Sequence, residues 1–167
     1  MVAAMNNADY ANSAVCGGCI LVTGPSGSVT VRIVDRCPEC APGDVDLSAE
    51  AFALIANPVD GRVPISWYDV ACDVDGPIVY RFKEGSSQWW TAIQVRNTRW
   101  AVSKLEVKVN GAYQSIPRES YNYFVESGLG VGPYDIRVTD VWGHVLEDTG
   151  IPLGDGSLAT GAGQFPP

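Results

Sequence analysis

Two acidic stretches, Val34-Asp35-Arg36-Cys37-Pro38 and Asp44-Val45-Asp46-Leu47-Ser48, flank a loop rich in proline and glycine. Such a loop turns the chain sharply, so it brings Asp35 and Asp46 toward one region. Two carboxyls across a glycosidic bond, one protonated and one ionised, are the working pair of glycoside hydrolysis. Asp46 stands between apolar Val45 and Leu47, where desolvation would favour the protonated acid. A structural use competes with this chemistry. Asp46 or Asp44 would cap the helix that follows, and Asp35 would pair with Arg32 or Arg36.

Cysteine is the second source of chemistry. Cys16-Gly-Gly-Cys19 and Cys37-Pro-Glu-Cys40 are both CxxC pairs, and the gap between them also suits a four-thiolate zinc site. Three features favour disulfides instead. Cys72 is left over, the intervening segment reads as a full strand pair, and the rest of the chain has an extracellular character. The pairing expected is Cys19 with Cys72 and Cys37 with Cys40, which leaves Cys16 alone; zinc stays open as the alternative, and no other cofactor is expected.

The tandem Trp89-Trp90 is the third. Flat indoles cover the C–H faces of β-linked sugars and expel water. Strand parity raises a conflict. Neighbours in a regular strand point to opposite faces, and Thr91, Ile93 and Val95 form the inward set. Both indoles are exposed only if the strand starts after Trp90 or carries a bulge. Gly85-Ser86-Ser87 just upstream favours a loop there, and both are expected to be exposed. Trp100 and Trp142 are assigned to the core. His144, the single histidine, is given no role, since no partner for nucleophilic catalysis is evident.

The elements that must hold these residues are mostly strands. Ile20–Thr23, Ser28–Val34 and Val63–Tyr68 alternate or run β-branched, with a turn at Pro25-Ser26-Gly27. One helix is expected over Leu47–Ala56, with Phe52 and Ile55 on its inner face and Asn57-Pro58 as its stop. Asp73-Val74-Asp75-Gly76-Pro77 reads as a short linker. Beyond it, strands are expected at Ile78–Lys83, Thr91–Asn97, Trp100–Val109, Tyr113–Ile116, Tyr134–Thr139 and Val145–Asp148, with a hairpin at Asn110-Gly111. The division is 1–74, a β-domain with one short helix; 78–153, a β-sandwich; and 154–167, a mostly irregular tail.

Composition narrows the function further. The chain has 167 residues, a formal charge of -8 and a pI near 4.4. That balance disfavours nucleic acid. No apolar run suits a membrane, and Met1 to Tyr10 does not read as a signal peptide. The expectation is a secreted monomer whose signal lies outside this chain.

Here the residues carry a resemblance. Val31-Arg32-Ile33-Val34-Asp35-Arg36-Cys37-Pro38 with Asp46-Leu47-Ser48 resembles the double-psi β-barrel of expansins and their relatives, and Asn6 to Cys19 resembles the segment leading into that barrel. Tyr80-Arg81-Phe82-Lys83-Glu84-Gly85-Ser86-Ser87-Gln88-Trp89-Trp90 and Ile93-Gln94-Val95-Arg96-Asn97 resemble the carbohydrate-binding domain of bacterial expansins; Tyr121-Asn122-Tyr123-Phe124 and Val138-Thr139-Asp140 continue it. The resemblance implies an all-β chain: a double-psi β-barrel, then an immunoglobulin-like β-sandwich. It implies non-hydrolytic loosening of plant cell walls, with cellulose as partner. Asp46 would match the aspartate needed for loosening, Asp35 a second acid of the groove, and Trp89, Trp90 and Tyr121 a linear sugar-binding strip. Lys83 and Gln88 would bond sugar hydroxyls beside it.

Two departures go with the resemblance. Cys37 stands where many bacterial expansins carry an aromatic, and relatives carry a first barrel strand upstream of the segment matching Val2. Competing readings are a glycan-cleaving enzyme on a similar barrel, either an endoglucanase or a lytic transglycosylase, and a barrel-type protease inhibitor.

Overall fold

A computed structural model describes residues 1–167. The first unit holds β1 (Val2–Asn6), α1 (Asn7–Tyr10), β2 (Cys19–Gly24), β3 (Gly27–Cys37), β4 (Val45–Leu47), α2 (Ala49–Ile55), a 3₁₀ turn at Pro58–Asp60 and β5 (Ser66–Val70). Its sheet runs in the order β4-β1-β3-β2-β5. β1 lies parallel to β3; the other pairs are antiparallel. Alternation in β3 explains the packing: Val29, Val31 and Ile33 are buried, while Thr30 and Arg32 point outward.

α2 seats Ala51 and Ile55, four residues apart, on this core. Phe52, expected on the inner face, is half-buried at its edge. Glycine is required where the β2–β3 turn meets α2. A Cβ on Gly24 would stand 2.9 Å from the Ile55 carbonyl oxygen.

The second unit packs two four-stranded sheets face to face. One runs β10-β7-β6-β13 and the other β12-β11-β8-β9. The strands are β6 (Val79–Phe82), β7 (Trp90–Arg96), β8 (Val102–Val109), β9 (Ala112–Ser115), β10 (Phe124–Ser127), β11 (Tyr134–Asp140), β12 (Val145–Ile151) and β13 (Leu158–Thr160). Inward residues of both sheets, among them Tyr80, Phe82, Ile93, Leu105, Val107, Ile136 and Val138, form one core. The segment from Gly154, expected to be mostly irregular, carries β13 and buries Phe165 completely in that core. Gly-rich composition hid the strand, because Ala159 is its only buried residue.

The two units dock through side chains and backbone. The loop after α1 runs through three consecutive left-handed residues, Ala11, Asn12 and Ser13. It drives Ser13 into the junction, where its hydroxyl donates to the Glu119 carbonyl at 2.8 Å. Arg118 donates back to the Ser13 carbonyl at 3.0 Å, and the Cys72 N–H donates to the Arg99 carbonyl at 2.8 Å. Arg32 reaches across as well, donating to the carbonyls of Gly17 and Thr98.

Candidate functional site

Register places the two carboxylates. Ala4 of β1 is the partner of Asp35 on one side and of Asp46 on the other. Register partners share a face of the sheet, so both acids flank one small residue on the outer surface. Both are exposed. Two inter-strand spacings separate their backbones, about 10 Å.

Neither acid is spent on the fold. Asp46 sits in β4 and caps nothing; Ser48 is at the N-cap of α2 and makes no side-chain bond. The Asp44 carboxylate accepts from the Ala41 N–H at 3.1 Å. Arg32 is turned into the junction, and Arg36 donates to Asn7 Oδ1 at 3.2 Å. Asp35 accepts only from the adjacent Arg36 N–H, at 2.7 Å. The expected cap and ion pair are therefore both absent. So is the expected desolvation: Asp46 is exposed and its neighbours Val45 and Leu47 are only half-buried.

The loop between the acids is pinned from below. Asn6 is fully buried and donates to Asp9 Oδ2 at 2.6 Å and to the Asp44 carbonyl at 3.0 Å. The same Asp9 oxygen accepts from the Gly43 N–H at 3.0 Å, and Trp67 Nε1–H donates to the Gly43 carbonyl at 2.9 Å. An open cleft of about 550 Å³ lies alongside, lined in part by Asp44, Asp46, Phe52 and Arg62.

The sulfurs form two disulfides, Cys19–Cys72 and Cys37–Cys40. Each CxxC pair has lost at least one thiolate to a disulfide, so the four-thiolate zinc site is not formed. Cys16 is free and half-buried at the junction. Burial pushes its thiol up, against hydrogen bonds from Tyr10 and Asn122 that pull it down. Burial, with the Cys16 thiol beside it, pushes the Tyr10 phenol up to about 12.

The aromatic face resolves the parity conflict. β7 begins at Trp90, so Trp89 lies in the turn before the strand. Trp89 is 74% exposed and Tyr121 50% exposed, whereas Trp90, expected to be exposed with Trp89, is half-buried because it is the first residue of β7. The turn is tied on both sides. Ser87 N–H donates to the Trp90 carbonyl at 2.7 Å, and Gly128 N–H to the Trp89 carbonyl at 3.0 Å. Thr91 Oγ1–H donates to the Ser87 carbonyl at 3.0 Å.

Register places Tyr121 relative to this face. Trp90 is opposite Ser127, and Phe124 is opposite Ile93. Tyr121 lies beyond the far end of β10, in a turn closed by the Asn122 N–H on the Glu119 carbonyl at 3.0 Å. Lys83 is half-buried at the end of β6, its N–H bonded to the Ala92 carbonyl at 3.0 Å, and Gln88 is exposed beside Trp89. Farther along the same sheet, Val79, Gln94, Arg96 and Leu158 line a cleft of about 510 Å³ with Arg32 and Val34 of the barrel. The aromatic face thus runs on toward the barrel surface.

Comparison with known proteins agrees with this geometry. A double-psi β-barrel family model described as lytic transglycolase matches residues 2–67. Expansin-YoaJ of Bacillus subtilis is 41% identical over 152 residues, 89% of this chain and 66% of the relative. Expansin-like protein 1 of Dictyostelium discoideum is 29% identical over 87% of this chain and 54% of its own length. The crystal structure of apo Clavibacter michiganensis expansin superposes with a TM-score of 0.93 at 33% identity, covering 100% of this chain and 83% of that one. The chain belongs to the expansin family.

A mutant of the Clavibacter expansin, solved in complex with cellohexaose, superposes equally well, with a TM-score of 0.94. This expansin chain spans roughly half to two thirds of the length of the curated relatives named above. Within it, the fold brings Asp35 and Asp46 to one face of the barrel sheet, on either side of Ala4, with only Asp46 lining the adjacent cleft, and sets Trp89 and Trp90 next to each other at the start of β7. Tyr121 stands apart from them, with its ring centroid 5.9 Å from that of Tyr123. Trp142, assigned to the core by sequence, is 60% exposed on the β11–β12 turn, and Trp100 is half-buried against it. The neighbouring Gly143-His144 turn was the available signal, since a turn cannot bury a large ring beneath itself.

Proposed function

We propose that this expansin binds cellulose in plant cell walls through Trp89, Trp90 and Tyr121, and loosens the wall without hydrolysis through Asp46 and Asp35. One observation carries the reading: a strongly exposed indole, Trp89, held by backbone bonds on a surface that continues toward the carboxylate groove. Lys83 and Gln88 bond hydroxyls at its edge. A tryptophan buries about 150–250 Å² when covered. Covering half of that at ~25 cal/mol per Å² yields roughly 2–3 kcal/mol per indole before ordering costs. Several platforms in a line hold a chain firmly yet let it slide, since apolar contact is non-directional.

The barrel unit, 1–74, acts on the junctions between wall polymers, and the sandwich unit from residue 78 holds the protein on cellulose. The protein works outside the cell, as a monomer and without a cofactor. Glycan cleavage is not part of the reading, which follows the non-hydrolytic action that the expansin relationship implies. The bound hexasaccharide of the Clavibacter relative supports the choice of glucan.

The test is sedimentation with microcrystalline cellulose together with an assay for soluble sugars. Wild-type protein pellets with cellulose and releases no sugar. Trp89→Ala/Trp90→Ala protein stays in the supernatant. Sugar release lost on Asp46→Asn would establish a glycosidase instead.

A further inference from the structure

Trp142 stands on the turn between β11 and β12, in the sheet that does not carry Trp89 and Trp90. The turn beneath it is firmly tied. Asp140 is 1% exposed. Its carboxylate accepts from the N–H groups of Trp142 and His144, each at 2.9 Å, and from His144 Nδ1–H at 2.8 Å. Asp140 N–H donates to the His144 carbonyl and Val141 N–H to the Ala101 carbonyl, each at 3.0 Å.

The ring is held from the side as well. Trp100 meets it nearly edge-on, at 79° with centroids 5.5 Å apart, and Trp100 Nε1–H is fixed on the Pro166 carbonyl at 3.0 Å. Trp142 nevertheless leaves most of its surface in water, and its own Nε1–H is free of protein partners. An indole ordered in advance and left uncovered adds little to stability; it lowers the ordering cost of binding something.

Size and chemistry select the occupant. Val141 and Val145 beside it are about half exposed. With ~150 Å² of open indole, the patch comes to roughly 300 Å². A stable protein interface needs about 800 Å² from each partner. The footprint is that of one flat ring. Its rim is polar: Trp142 Nε1–H is an open donor, and the His144 ring, held through Nδ1 on the Asp140 carboxylate at 2.8 Å, presents its other nitrogen beside it. An apolar plate with hydrogen-bonding groups at its edge matches a pyranose, with its C–H face on the indole and its equatorial hydroxyls, which both donate and accept, at the rim.

We propose that Trp142, with Trp100 behind it and His144 at its rim, is a second glycan platform that takes a single ring of a neutral β-glucan. The kind of sugar rests on the function proposed above; the site does not. Two platforms on different sheets let one molecule touch two chains and raise retention through effective concentration.

The experiment follows the tryptophan indole N–H resonances of the whole chain during titration with cellohexaose. The Trp142 resonance moves saturably at millimolar sugar in wild type, and still does so in Trp89→Ala/Trp90→Ala protein. Trp142→Ala removes the binding that remains in the double variant and lowers bridging of cellulose particles several-fold, while the Trp89 and Trp90 resonances respond as before. A Trp142 resonance that stays still overturns the platform, even where Trp89 and Trp90 move. Movement of Trp142 supports it, even if Trp89 and Trp90 fail to respond and the main binding face is wrong.

Discussion

Asp35 and Asp46 confront each other across one methyl group: each is the register partner of Ala4, from β3 and from β4 respectively. Neither carboxylate enters an ion pair, and neither caps a helix. The sheet face between them is open because the residue separating them is small. Ala4→Leu puts a branched side chain into that space without touching the buried Ala3 and Met5 on either side. Wall loosening should fall to near that of Asp46→Asn, while cellulose binding stays within about twofold, since the platform is remote. Creep of wall strips together with cellulose sedimentation checks this; full loosening by Ala4→Leu would show that the space is not used.

Phe165 fixes the end of the chain to the sandwich. It is fully buried among residues of both sheets, and Tyr80 Oη–H with the Ala162 N–H locks the same tail onto the buried Asp148 carboxylate. Phe165→Ala should cost about 3–5 kcal/mol in urea unfolding. A loss below about 1 kcal/mol would mean that the tail is dispensable.

Much of this was legible from sequence, and the misses have a common cause. Period-2 alternation exposed β3, β7, β8 and β11, because each buries large β-branched or aromatic residues on one face. β1, β4, β10 and β13 are short and bury small or isolated residues, so their pattern is weak. Phe165 was hidden because one buried ring has no period. Asp46 read equally well as a cap, since a carboxylate directly before an expected helix suits either use. Only register against Ala4 settled its position. The Trp89-Trp90 conflict could be stated from parity but resolved only by where β7 begins.

The two disulfides should differ in weight. Cys19–Cys72 spans 53 residues, whereas Cys37–Cys40 spans three. Chain entropy alone assigns about 4 kcal/mol to the long loop and about 2 kcal/mol to the short one. Replacing each pair by alanine and measuring urea midpoints should give that order. An equal loss from both would place the stabilisation elsewhere.

Stability should decline at both ends of the pH scale. The Arg137 guanidinium holds the Glu106 carboxyl below the ordinary carboxylate range. A depressed carboxylate contributes fully above its unfolded pKa, about 4.3, and that contribution is lost as pH falls through the folded value. Glu106→Gln should flatten the acid limb. Tyr10 is raised to about 12 by burial. Its contribution is full below the unfolded phenol value, about 10, and is lost as pH rises through the folded one. Tyr10→Phe should flatten the alkaline limb. Urea midpoints across pH would show it; an unchanged acid limb in Glu106→Gln would contradict the assignment.

The division of labour between the aromatic face and the carboxylate groove is tested most directly by one paired measurement. Wall strips are held under constant load while creep and protein bound to the strip are recorded for wild type, Trp90→Ala and Asp46→Asn. Trp90→Ala should lose binding roughly thirtyfold or more, from the area of one indole, and lose creep in proportion. Asp46→Asn binds like wild type and produces no creep. Creep by Asp46→Asn equal to wild type, or undiminished binding by Trp90→Ala, would contradict it.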